Sequence, residues 1–136
     1  MADSVFVDSS GWIALINEED EYHVRARAWF QQNKRPLCTS DYVLGEMMTY
    51  LRFGLKQHAH RKAVAFGRNI GKSNITTRHN ITDEDWNQAL EIFEQYEDQD
   101  FSFTDCTSFA LMQRLDIRDV LTFDKHFSTM GFVQVA

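Results

Sequence analysis

Proline is almost absent from this chain: Pro36 is the only one in 136 residues, alongside six glycines and two cysteines. That excludes proline-rich linkers, low-complexity segments and collagen-like repeats. Cys38 and Cys106 stand far apart without CxxC spacing, which excludes a disulfide framework and a thiolate zinc site and leads us to expect a reducing cytoplasm. No apolar run approaches the roughly 20 residues that span a bilayer. The stretch from Val5 to Ile16 is interrupted by Asp8, Ser9 and Ser10, and Asp3 stands where an export signal carries positive charge, so neither a membrane anchor nor export is expected. Positive charge is also scarce overall. Fourteen basic residues face twenty acidic ones, for a net charge of -6, which argues against an indiscriminate nucleic-acid binder.

One segment lacks the opposite charge. Between Met47 and Thr82 there is no Asp or Glu, while Arg52, Lys56, Arg61, Lys62, Arg68, Lys72 and Arg78 supply seven positive charges, leaving the other seven basic residues against all twenty acidic ones. Attraction to phosphate follows local charge, so this segment can offer a nucleic-acid surface beside an otherwise acidic body; it can equally be a solvated helical face. Within it, Arg52, Lys56, Arg61 and Lys62 are the candidate nucleic-acid contacts.

What is present suits a single domain over residues 1–136: 43% hydrophobic and 25% charged residues, with enough chain for a core that needs no staples. Ser4 to Asp8 reads as a short buried strand, with Ser9 or Ser10 capping a helix to Ile16. A helix from Tyr22 to about Gln32, a strand at Leu37–Thr39 and a helix capped by Ser40 follow. In that helix Val43, Leu44, Met47, Met48 and Leu51 share one face, and Glu46 lies at its flank. One or two helices then lead to a strand near residues 74–78. Thr82 caps a helix whose expected buried face is Trp86, Ala89, Leu90 and Phe93. A helix from Ser102 to Leu115, a strand from Asp119 to Phe123 ending at Asp124, and a last strand from Phe132 to Val135 complete the chain. Strands alternating with helices predict parallel pairing and a three-layer α/β/α sandwich.

In such sheets ligands gather beyond the C-terminal strand edges, where this reading sends Asp8 and Asp124. If Asp105 opens a helix at that edge and Glu46 projects from another, four carboxylates converge, and their mutual repulsion calls for a cation. Hard oxygen ligands without a Cys or His cluster favour Mg2+ or Mn2+ over zinc. Such ions can hold a phosphodiester, activate water and stabilise the leaving oxygen. Each acid also has an ordinary explanation. Ser102-Phe-Thr-Asp105 fits a capping box, Glu46 fits a solvated helix position, and Asp8 and Asp124 fit turns after strands. Their joint placement is what points to a site. A lone His just past a strand is more often a packing or surface residue than a proton carrier, so His126 is not counted among the site residues.

Four ordered motifs carry a resemblance that runs essentially end to end: Val5-Phe-Val-Asp8-Ser-Ser, Val43-Leu-Gly-Glu46, Ser102-Phe-Thr-Asp105 with Phe109-Ala-Leu-Met112, and Leu121-Thr-Phe-Asp124-Lys-His-Phe127. The chain resembles the PIN domains, the family that includes the toxin ribonucleases of VapBC-type toxin-antitoxin pairs. The resemblance implies strand order 3-2-1-4-5, a Mg2+ or Mn2+ site, cleavage of single-stranded RNA, frequent homodimers and, for the toxins, an antitoxin protein partner. It further implies Asp8 and Asp105 as the core metal ligands, Glu46 completing the site, Asp124 holding a second metal or its water, and Thr104 orienting a carboxylate or water. Free-standing RNA-processing nucleases and non-catalytic binding modules share this domain. A haloacid-dehalogenase phosphatase needs a second Asp where Ser10 stands, and a receiver domain needs acidic spacings that are absent here.

Overall fold

The computed structural model describes residues 3–136. Strand β1 (Val5–Val7) is followed by helices α1 (Ser9–Ile16) and α2 (His23–Gln32), then by β2 (Leu37–Ser40). Helices α3 (Asp41–Gly54) and α4 (Ala59–Lys72) lead to β3 (Thr76–His79). Helices α5 (Asp83–Gln95) and α6 (Phe103–Arg114) lead to β4 (Asp119–Leu121), and the short α7 (His126–Thr129) precedes β5 (Val133–Gln134). The five strands form one parallel sheet in the order β3-β2-β1-β4-β5, as the sequence and its resemblance lead one to expect.

The central strands are unbroken apolar or small-residue runs because both faces of the sheet are covered. Val5, Phe6 and Val7 are fully buried, as are Cys38, Val120 and Leu121. Burial pushes the Cys38 and Cys106 thiols up to about 12 and about 11, which keeps both protonated at neutral pH. No helix among the described residues is long and apolar enough to cross a membrane.

Topology locates the functional edge. From β1 the chain winds outward through β2 to β3, then crosses back to β4 on the other side of β1. The crevice at this reversal, beyond the C-terminal ends of β1 and β4, is the place where open α/β sheets bind ligands. Gly11 lets α1 start close against it: a Cβ there would lie 2.3 Å from the Leu121 carbonyl oxygen. On the far side, Phe127 anchors α7. It is fully buried, 5.0 Å from the ring of Phe109, and burial of such a side chain stabilises by roughly 1.5–3 kcal/mol.

Four local expectations are corrected. Asp8, rather than Ser9 or Ser10, caps α1, because its carboxylate accepts the Gly11 N–H while Ser10 turns its hydroxyl back onto Asp8. In α5 the buried stripe is Asp85, Ala89 and Ile92; Trp86, Leu90 and Phe93 are 43%, 49% and 46% exposed, a rotation made tolerable because Arg114 satisfies the buried Asp85 carboxylate. Met48 likewise turns outward from α3 and lines a surface groove with Phe66 and Ile70. Finally, β4 stops at Leu121, and the next residues leave the ladder because the Thr122 hydroxyl takes over as acceptor for the Asp124 N–H.

Candidate active site

Four segments build the site at the crevice. Asp8 follows β1 and is 5% exposed, with both carboxylate oxygens engaged. Oδ1 accepts from the Gly11 N–H and the Ser10 hydroxyl, each at 2.9 Å, and Oδ2 accepts from the Thr122 hydroxyl at 2.9 Å. Thr122 comes from the segment after β4, so these bonds tie the two sheet ends together. The Phe123 N–H donates to the Ser10 oxygen at 2.9 Å and closes the arrangement.

Asp105 sits at the third position of α6 in a complete capping box. Its Oδ2 accepts from the Ser102 N–H at 3.1 Å, and its own N–H donates to the Ser102 hydroxyl oxygen at 3.0 Å. Asp124 is held by the start of α7, where the His126 N–H donates to Asp124 Oδ1 at 3.0 Å. The imidazole of His126 then brings the two acids together: Nδ1 lies 3.1 Å from Asp105 Oδ2 and 3.2 Å from Asp124 Oδ1. Glu46 reaches the same edge from α3 and accepts the Ser9 hydroxyl hydrogen bond, so it abuts the residue next to Asp8.

The electrostatics are those of acids without a counter-charge. Among the described residues no Lys or Arg makes an ion pair with Asp8, Glu46, Asp105 or Asp124. Burial pushes the Asp8 carboxyl up to about 7 against the lowering effect of its three hydrogen-bond donors, and the nearby Asp105 charge pushes in the same direction. The Asp105 carboxyl is also raised, first by burial and further by Asp124, while the Ser102 N–H and His126 partly oppose the shift. Two carboxyl groups that resist ionisation, in a crevice with open oxygens, form a donor set suited to a hard divalent cation. Asp105 Oδ1 and Asp124 Oδ2 accept no hydrogen bond from the described residues, and Asp105, Asp124 and His126 present ligand atoms within 4.8 Å of one another.

Asp105 and Asp124 are therefore gathered with His126 within 4.8 Å of one another, while Asp8 reaches the same edge through Thr122 and the nearby Asp105 charge, and Glu46 reaches it only through Ser9. Thr104 is not drawn in by a hydrogen bond to any of the acids; its backbone carbonyl accepts the Thr107 hydroxyl. The hydroxyls that orient a carboxylate are those of Ser10 and Thr122. Sequence alone assigns neither a site role and leaves His126 as a packing or surface residue. The Asp-Ser-Ser-Gly run after β1 and the Thr two residues before Asp124 were the available signals.

Lys56 and Lys62 line a cleft with Asn17, Glu18 and Glu19, so its charge is mixed. The Arg52 guanidinium lies 5.4 Å from the ring of Phe53, and Arg61 is exposed on α4. None of the four makes an ion pair with a described residue.

Known proteins share this fold. The PIN domain family model matches residues 5–133. The 23S rRNA-specific endonuclease VapC20 of Mycobacterium tuberculosis is 36% identical over 131 residues, covering 96% of this chain and 97% of that protein. The crystal structure of Mycobacterium tuberculosis VapC20, a Sarcin-Ricin loop cleaving toxin, superposes with a TM-score of 0.87 at 35% identity, covering 96% of this chain and 98% of that one. FitAcB from Neisseria gonorrhoeae, at 11% identity, shares the fold with a TM-score of 0.69 over 97% of this chain and 96% of its own. With its sheet order, its acid-lined crevice and a match over nearly its whole length, the chain belongs to the PIN domain family.

Proposed function

We propose that this protein is a divalent-metal-dependent endoribonuclease and acts as the toxin of a toxin-antitoxin pair. The observation that carries the reading is the crevice between β1 and β4, where Asp8, Asp105 and Asp124 converge without a Lys or Arg partner and Glu46 stands alongside. Asp8 and Asp105 would hold the ion, with Glu46 and Asp124 completing the site, and Mg2+ or Mn2+ suits this carboxylate set. When bound, the ion supplies Lewis-acid activation of water and charge stabilisation at the scissile phosphate.

The chain's own groups keep those acids in place. Ser10, Gly11 and Thr122 fix both oxygens of Asp8, so it loses little freedom when a cation arrives. Ser102 fixes one oxygen of Asp105 and leaves the other open. Arg52, Lys56, Arg61 and Lys62 lie on the α3–α4 segment, where they would meet the RNA backbone and set its position rather than read its sequence.

The 36% identity with a 23S rRNA-specific endonuclease over nearly both full lengths supports ribosomal RNA as the substrate class, with a single-stranded loop as the cleaved element. The likeness to a toxin over nearly both full lengths supports an antitoxin partner, and a homodimer in the cytoplasm is part of the same proposal. The experiment is incubation of the purified protein with intact ribosomes, extracted 23S rRNA and an isolated sarcin-ricin stem-loop, with Mg2+, with Mn2+ and with chelator, followed by mapping of 5′ ends. Cleavage at discrete loop positions that requires added cation is expected. Folded protein that binds no divalent cation and leaves every RNA intact would overturn the enzyme reading in favour of a binding module.

A further inference from the structure

The carboxylates are the expected part of a magnesium-type site; the imidazole among them is not. We infer that His126 supplies its Nδ1 as a direct ligand to the cation, and that this nitrogen tunes the site toward Mn2+ over Mg2+. The inference rests on the metal-dependent reading above and specifies the chemistry of that same site.

Three observations carry it. The first is the spacing of the donors. A small octahedral dication with bonds of about 2.1 Å places neighbouring ligands about 3.0 Å apart. His126 Nδ1 lies 3.1 Å from Asp105 Oδ2 and 3.2 Å from Asp124 Oδ1, and one ligand atom from each of the three residues falls within 4.8 Å of the others, so the three side chains can share one ion as adjacent ligands. The second is that the ring is held in place. Phe101 packs edge-on against it at 5.2 Å, the His126 backbone N–H is bonded to Asp124, and the adjoining Phe127 is fully buried in the core. A ligand whose ring is packed and whose backbone is anchored loses little entropy on binding. The third is that, among the described residues, His126 Nδ1 is the only side-chain nitrogen paired with any of the four acids, and no Lys or Arg competes for them.

Magnesium strongly prefers oxygen donors, whereas affinity for an imidazole-containing site rises along the first transition row from manganese onward. A nitrogen ligand therefore strengthens Mn2+ binding more than Mg2+ binding, while a histidine that only bridges the acids gives no such preference.

The decisive readout is spectroscopic. Wild-type protein is loaded with one equivalent of Mn2+ and examined by electron spin-echo envelope modulation for coupling to a directly bound imidazole 14N, beside His126→Asn and His126→Gln. The coupling is expected in the wild type and absent from both variants. Calorimetric titrations should show the Mn2+ to Mg2+ affinity ratio falling by about tenfold or more in the variants. Stoichiometric Mn2+ binding by the wild type without 14N coupling would overturn the inference and leave the nuclease reading intact. Absence of Mn2+ binding by folded wild-type protein would overturn both. Because the first measurement uses the wild type, the outcome does not depend on the variants folding.

Discussion

The chain contains two capping boxes of one kind, and the two have opposite fates. At the start of α5, Thr82 and Asp85 exchange hydrogen bonds, and at the start of α6, Ser102 and Asp105 do the same. Asp85 is then clasped by Arg114, with Nε and Nη2 at 2.8 and 2.9 Å from its two oxygens. Burial pushes the Asp85 carboxyl up, but the Arg114 hydrogen bonds and the Thr82 cap outweigh it, and the net shift is downward. Asp105 has the same local bonds but no Arg. It faces Asp124, Asp8 and His126, and its carboxyl is held up. The motif is thus neutral as to role; what decides is whether the surrounding fold supplies a permanent counter-charge or leaves the charge to a diffusible ion.

That contrast can be broken most sharply by activity. Asp8→Asn combined with Asp105→Asn should lower metal-dependent RNA cleavage by about 1000-fold or more, since the ion's transition-state stabilisation is lost, while circular dichroism remains native. Retained cleavage would place the chemistry elsewhere. The next effect is on stability against pH without metal. The folded Asp8 carboxyl is raised from 3.8 to about 7, so its favourable contribution is fully present below 3.8 and is lost as pH rises through about 7. Metal-free protein should therefore melt progressively lower across that window, and Mn2+ should reverse the loss at the upper end. Asp85 titrates in the opposite sense: its folded value is lowered, so its contribution is present above 3.8 and is lost as pH falls through that folded value. A metal-free melting temperature that is flat between pH 4 and pH 7 in the wild type, or unchanged in slope by Asp8→Asn, would contradict the Asp8 half of the comparison.

Smaller effects sharpen the same picture. Asp85→Asn removes one side of a pair whose carboxylate is 2% exposed and whose guanidinium is 37% exposed. Partial solvation of Arg114 limits the cost, and a loss of about 2 kcal/mol in denaturant unfolding is expected. Neutralising Arg61 and Lys62 together tests the assignment of RNA contact to the α3–α4 segment. The slope of log affinity against log salt should fall by about 1.4 for a single-stranded RNA, and an unchanged slope would remove these two residues from the interface.

Much of this was legible in the sequence because it depends on short-range rules. A buried apolar triplet ending in Asp8, a Ser40 cap before α3 and strands alternating with helices are enough to give parallel pairing and to send acids to one edge. What escaped depends on partners distant in the chain. Asp85 is buried, displacing Trp86, Leu90 and Phe93 outward, only because Arg114 arrives from another helix 29 residues away. Thr122 supports Asp8 across 114 residues, a pairing that no periodicity encodes. His126 carries no spacing signal of its own, and its place beside Asp105 depends on a four-residue helix anchored by Phe127. Gly11 reveals its role only when the Leu121 carbonyl is seen against it.

The most direct test sets the two boxes against each other in one assay. Asp105→Asn and Asp85→Asn are compared with the wild type for cleavage of the same ribosomal RNA loop in Mn2+, at a temperature where all three are folded. Loss of cleavage in Asp105→Asn with near-wild-type cleavage in Asp85→Asn is the predicted result; equal cleavage by both, or loss only in folded Asp85→Asn, would contradict the account.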